Sequence, residues 1–252
     1  MMSFINKVVL ITGASSGIGA ATAVEFAKNG ANVSIVGRNI EKLNNVSELC
    51  AKNGSKPLVI KADIGNDEEC QKIIDLVMKT FGKLDILVNN AGFLSLGSVL
   101  EGNILEAYDK TMSVNVRAHV QMTSLAAPHL VKSKGNIINI SSVAATIATS
   151  LPGRTPYCVS KAALNHFTRC VALELADKGV RVNTVSPGPV KTDFFDNSQV
   201  NDVKIDDFSE IMPLKRVSES EEIAHMILFL ASDKAVGITG SEFIVDNGFL
   251  IK

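Results

Sequence analysis

The segment Thr155-Pro156-Tyr157-Cys158-Val159-Ser160-Lys161 places a phenol and an ammonium four residues apart. In a helix that is one turn, so both groups share a face. A phenol ordinarily ionises near ~10, and a neighbouring ammonium favours the phenolate and lowers that value toward neutral pH. Such a pair suits proton transfer to or from a substrate oxygen. Far upstream, Thr12-Gly13-Ala14-Ser15-Ser16-Gly17-Ile18-Gly19 follows an apolar run and leads into helical spacing. Glycines in that position let the backbone turn tightly and approach a pyrophosphate, while the free N–H groups of the helix start face the anion.

Seven short apolar runs could position these groups: Val8 to Ile11, Val33 to Val36, Leu58 to Ile60, Ile86 to Val88, Ile137 to Ile140, Val180 to Val185 and Phe243 to Val245. They are rich in β-branched residues and almost continuously apolar, as strands covered on both faces require. The segments between them carry helical spacing such as Ile18, Ala21, Val24 and Ala27. This alternation predicts an α/β chain whose parallel sheet is doubly wound, with seven strands and helices on both faces. Asn39 is placed to cap a helix over Ile40 to Lys52; Asp63 precedes a helical stretch from Asp67 to Thr80 and could cap it. The segment Pro187 to Pro213 breaks the rhythm, so residues 188–213 are expected to form a substrate lid on one domain spanning 1–252.

Composition narrows the function. The chain has 252 residues, 46% of them hydrophobic and 20% charged, with a formal net charge of −1. That charge supplies no broad field for nucleic acid or anionic lipid, which favours a small-molecule substrate. The four cysteines (Cys50, Cys70, Cys158, Cys170) show no paired spacing, and no metal site is expected. The run Met226 to Ala231 falls far short of the ~20 residues of a membrane span. With no apolar core in the opening residues, a soluble cytoplasmic protein is expected.

The GxxxGxG spacing after Thr12 resembles the short-chain dehydrogenase/reductase family. Further motifs in the same order strengthen the likeness: Asn89-Asn90-Ala91-Gly92, Asn115, Ser141-Ser142, Tyr157 with Lys161, and Pro187-Gly188. The resemblance implies a single-domain Rossmann fold and a nicotinamide cofactor held by Gly13, Ser15, Ser16, Gly17, Ile18 and Gly19. It assigns Asp63 and Ile64 to the adenine, and Asn90, Ala91 and Gly92 to the ribose. Pro187, Gly188, Val190 and Thr192 fall near the nicotinamide. It makes Tyr157 the general acid/base, Lys161 its electrostatic partner and ribose ligand, Ser142 the donor that polarises a carbonyl, and Asn115 the anchor of a proton-relay water.

Where an acidic residue would select NAD(H), the chain has Val36-Gly37-Arg38-Asn39. A guanidinium there pairs with a phosphate, so NADP(H) is expected, with Arg38 discriminating. Within the family the pattern is most similar to 3-oxoacyl-carrier-protein reductases, which implies an acidic carrier docking on basic residues such as Lys132, Lys134 and Lys178. Against it, the lid from Asp193 to Lys215 carries six carboxylates and two lysines. The alternatives are a reductase of ketones, sterols or xenobiotics and a non-catalytic nucleotide sensor or scaffold. The loop from Ser142 to Tyr157 is a residue or two longer than the usual family spacing, which bears on pocket shape. Asn247 stands where glycine is commoner, in a backbone geometry asparagine tolerates. The apolar tail Phe249-Leu250-Ile251 suggests a partner subunit, and the family resemblance implies a homo-oligomer, a tetramer.

Overall fold

Each of the seven apolar runs forms a strand in the computed structural model, which describes residues 2–148, 152–198 and 205–251. The strands are β1 (Val8–Thr12), β2 (Asn32–Gly37), β3 (Leu58–Lys61), β4 (Ile86–Asn89), β5 (Asn136–Ile140), β6 (Arg181–Pro187) and β7 (Glu242–Val245). All pair in parallel, in the order β3-β2-β1-β4-β5-β6-β7. The chain runs outward from β1 to β3, then returns to place β4 against the other side of β1. The loops leaving β1 and β4 therefore diverge, and a crevice opens at the carboxyl ends of those strands.

The helices are α1 (Gly17–Lys28), α2 (Ile40–Asn53), α3 (Asp67–Phe81), α4 (Ile104–Met112), α5 (Ala118–Ser133), α6 (Thr155–Leu175), α7 (Phe194–Asn197) and α8 (Ser220–Ala231). Helices α1, α2 and α8 pack on one face of the sheet and α3, α5 and α6 on the other. Strand β1 shows why its run is unbroken: Val9 and Ile11 enter the first core, Val8 and Leu10 the second. Burying each such side chain contributes about 1.5–3 kcal/mol.

Helix starts follow local chemistry. Asn39 Oδ1 accepts from the Lys42 amide at 3.0 Å and caps α2. The cap of α3 is Asn66, which accepts from the amides of Glu68 and Glu69, and not Asp63, whose Oδ1 accepts from Gly65 in a tight turn. In α1 the fully buried face is Gly19, Thr22, Ala23, Phe26 and Ala27, turned from the apolar spacing of the sequence because the helix packs against α8 as well as the sheet.

The expected lid is partly ordered structure. Val190 forms a bridge with Ser218, α7 follows, and Ile205–Ile211 makes a 3-10 turn. Residues 199–204 of the lid, and 149–151 of the lengthened loop after Ser142, lie outside the described residues.

Candidate active site

The carboxyl ends of β1 to β6 and the lid enclose a cavity of about 670 Å³. Its wall includes Gly13, Ser15, Ser16, Gly17, Ile18, Arg38, Asp63, Ile64, Asn90, Ala91, Gly92, Ser142, Tyr157, Lys161, Pro187, Gly188, Val190 and Thr192. Gly19 and Asn115 are not on the wall; they stand behind it and shape it.

The glycine loop is held from β4. Gly13 has φ +64, and a Cβ there would lie 2.7 Å from Ala91 Cα. A Cβ on Gly19 would lie 2.4 Å from Gly13 O and 2.5 Å from Asn90 Nδ2, so only glycine lets α1 approach so closely. Both amide protons of Asn90 are taken up by the carbonyls of Thr12 and Gly13, at 2.9 and 3.0 Å. The Asn90 side chain thus braces the loop from the cavity wall. Thr12 Oγ1 in turn accepts from the amides of Asn90 and Ala91. The side chain of Ser16 makes no capping bond to α1, which leaves first-turn amides facing the cavity. The donor set and the space fit a dinucleotide: a glycine cradle, exposed amides at a helix start, and a guanidinium at the end of β2. That guanidinium, Arg38, is largely exposed, with its Nη1 4.0 Å from Asp63 Oδ2.

The candidate catalytic side chains gather where β4, β5 and α6 meet. Ser141 Oγ donates to the Lys161 carbonyl at 3.2 Å, while Ser142, on the cavity wall, accepts from the Ala144 amide at 3.1 Å. Ser142 therefore retains its O–H proton as a donor. The second tyrosine, Tyr108, is exposed on α4 and absent from the cavity wall, so Tyr157 supplies the phenol there.

Tyr157 and Lys161 do share a face, with Nζ 5.6 Å from the ring centre. The ammonium, however, donates to Ile140 O at 2.8 Å. Burial pushes the phenol up to about 12, with Cys158 adding slightly and the Ser142 hydrogen bond opposing. Burial also pushes Lys161 down to about 7. This reverses the expected lowering of the phenol: desolvation outweighs an ammonium that lies over the ring face. The half-buried phenol borders the cavity, so whatever fills that space modulates the effect.

Asn115 lies in a π-helical turn, Ser113–Arg117, between α4 and α5. Its Nδ2 donates to Phe93 O at 2.8 Å and Ser160 Oγ at 3.0 Å, and its Oδ1 accepts from the Phe93 amide at 2.8 Å. Ser160 Oγ donates onward to Tyr157 O at 2.7 Å. The side chain thus ties the β4 loop to the turn that carries Tyr157, and both its amide protons are taken. The Asn115 side chain is thus a brace, carried on a π turn, a kind of irregularity common at functional sites.

Sequence reasoning missed Thr12, Ser160 and His119 as supports. His119 is fully buried, its Nε2 lies 2.8 Å from Ala91 O, and burial drives its pKa down to about 3. A neutral ring facing a carbonyl must carry its proton on Nε2 and donate. Deeper still, Asn89 donates to Asn139, and Asn139 and Thr184 donate to Thr168 of α6, which locks α6 against β4 to β6.

Residues 13–250 match the family described as Enoyl-(Acyl carrier protein) reductase. The chain belongs to the short-chain dehydrogenase/reductase family. It is 40% identical to an uncharacterized oxidoreductase of Thermotoga maritima, covering 98% of each chain. It is 36% identical to versicolorin reductase 1 of Dothistroma septosporum, covering 96% of this chain and 95% of the relative. A solved short-chain type dehydrogenase/reductase from Mycobacterium marinum superposes with TM-score 0.92 at 32% identity, covering 99% and 98%. As a member of this oxidoreductase family, the chain uses a nicotinamide cofactor.

The rest of the cavity in this short-chain dehydrogenase/reductase is largely apolar. Ile147, Phe195, Phe208, Ile211 and Phe249 line it, with Phe194 tilted against Tyr157 at 5.6 Å. Phe249 of the apolar tail lines the cavity, while Ile251 remains exposed. The three candidate docking lysines are misplaced. Lys132 and Lys134 sit just before β5 and Lys178 just before β6, at the amino ends of strands whose carboxyl ends carry the cavity. Lys178 also pairs with Asp177 at 2.8 Å. Among the described residues no helix is long and apolar enough to cross a membrane, and no cluster of metal-ligating side chains occurs.

Proposed function

We propose that the protein is an NADP(H)-dependent carbonyl reductase acting on apolar ketones. The convergence of Tyr157, Ser142 and Lys161 on an aromatic-walled cavity that carries Arg38 at its far end supports this reading. The nicotinamide, when bound, supplies the hydride. Ser142 donates to the substrate oxygen and polarises the carbonyl. Tyr157, protonated through the neutral range, delivers the proton that the developing alkoxide requires. Lys161 places a positive charge beside the phenol below about pH 7, and the Asn115–Ser160 chain fixes the turn that carries Tyr157. Arg38 would take a phosphate on the adenine ribose, and Gly37 as the last residue of β2 offers no competing carboxylate.

For the substrate, free ketones are favoured over carrier-bound 3-oxoacyl thioesters. The lid presents Asp193, Asp196, Asp206, Asp207 and Glu210 near the cavity, and the basic residues expected to receive an acidic carrier lie at the other end of the sheet. A homotetramer is also proposed, since Leu105, Tyr108, Val159 and Leu173 expose apolar surface on α4 and α6. Light scattering tests it, and a monomer at working concentration contradicts it.

The deciding experiment is NADPH and NADH oxidation against an acetoacetyl thioester, a diketone, a quinone and a sterol ketone. Turnover of free ketones with NADPH is expected. Turnover confined to the thioester, or a preference for NADH, refutes the corresponding half of the reading.

A further inference from the structure

Lys42 stands in the first turn of α2, on the same cavity wall as Arg38, and its Nζ lies 2.6 Å from Asp193 Oδ2. Asp193 comes from the lid, between the lining residues Thr192 and Phe194. The two partners are 151 residues apart in sequence, so the contact joins the end of β2 to the lid. Both side chains remain about half exposed, with 40% and 46% of their surface accessible. An ion pair of that kind is weak, and a phosphate is a stronger acceptor than a single carboxylate.

Charge balance at this wall gives the pair a role. Arg38 faces Asp63 and Lys42 faces Asp193, so two cations meet two carboxylates. A phosphate monoester adds about −1.5 to −2. To hold it tightly, the site must shed a carboxylate. Asp63 is fixed in its turn by the Gly65 amide at 2.9 Å, whereas Asp193 rides on the lid. The same lid segment meets the glycine loop, with Asn197 Nδ2 3.5 Å from Ser16 Oγ, and places Phe194 on Tyr157. Asp193 thus belongs to a segment that touches both ends of the cavity.

We infer that Lys42 is a second ligand, beside Arg38, for the phosphate on the adenine ribose, and that Asp193 is an internal competitor for it. A 2′-phosphate draws Lys42 away from Asp193 and releases the lid from α2, so cofactor choice and lid position are coupled. The inference rests on the NADP(H) reading above.

Equilibrium binding of NADPH, NADH and adenosine 2′,5′-bisphosphate to wild type, Lys42→Ala, Lys42→Arg, Asp193→Asn and the Lys42→Ala/Asp193→Asn double variant tests it. Lys42→Ala should weaken NADPH and the bisphosphate by about tenfold, the scale of one charge-assisted hydrogen bond. NADH should change by less than about twofold, and Lys42→Arg should retain most NADPH affinity. Asp193→Asn should tighten NADPH severalfold, and only where Lys42 is present. Equal loss of NADPH and NADH in Lys42→Ala overturns the phosphate assignment. Equal tightening by Asp193→Asn in both backgrounds overturns the competition. A wild-type preference for NADH refutes the NADP(H) reading itself, whereas NADPH affinity left unchanged by Lys42→Ala refutes only the role of Lys42.

Discussion

The Lys161 ammonium stands 5.6 Å from the centre of the Tyr157 ring while donating 2.8 Å to Ile140 O, so it lies over the phenol ring with its hydrogen bond on the main chain. Burial then governs both groups, raising the phenol to about 12 and lowering the ammonium to about 7. A phenol in that state is a proton donor at neutral pH. Accepting a proton from an alcohol requires the phenolate.

Direction of reaction should therefore depend on pH. The kcat/KM for alcohol oxidation should rise with pH by up to about tenfold per unit below the phenol's pKa, while carbonyl reduction stays level until an alkaline limb. Lys161 loses its charge well below the pH at which the phenol ionises, so Lys161→Met should leave that limb in place. Rate profiles from pH 6 to 11 check this, and a shifted limb contradicts it.

Lys161 also links stability to pH. Its folded-state pKa of about 7 lies below the ordinary 10.5, so between those values the folded chain binds fewer protons than the unfolded chain. The cost of burying the ammonium is fully present below about pH 7 and fades as pH rises toward 10.5. Lys161→Met should be more stable than wild type by roughly 1–3 kcal/mol at pH 7, allowing for the lost bond to Ile140. That gain should shrink at pH 10, as urea denaturation at the two pH values will show; a gain independent of pH would rule out this cause.

Asn115→Ala strips partners from the Phe93 amide and carbonyl and from Ser160, in a fully buried place. An orphaned buried group costs about 1–3 kcal/mol, so a loss of about 2–4 kcal/mol is expected. At roughly 2–4 °C per kcal/mol, thermal denaturation would fall by about 4–16 °C. An unchanged midpoint would mean that the Phe93–Asn115–Ser160 chain does not hold the site together.

Local physics made much of this legible. β1 needs apolar residues on both faces because each alternate side chain enters a different core, and that produces an unbroken run. Asn39 caps α2 as its position implied, and Asn247 adopts φ 53, a left-handed geometry asparagine tolerates. What escaped were partnerships between distant segments. Nothing around Asn90 in the sequence reveals that its amide closes on Thr12 and Gly13, and nothing beside Lys161 points to Ile140, 21 residues away. The tail Phe249-Leu250-Ile251 suggested a partner subunit, and nothing beside it in the sequence reveals that Phe249 lines the cavity.

The central claim is that Tyr157 delivers the proton in carbonyl reduction. Single-turnover NADPH oxidation by Tyr157→Phe, with NADPH affinity measured on the same sample, tests it most directly. Near-normal NADPH binding is expected, with turnover of a wild-type ketone substrate reduced roughly 10²–10⁴-fold. Turnover at the wild-type rate in a variant that binds NADPH normally would contradict it.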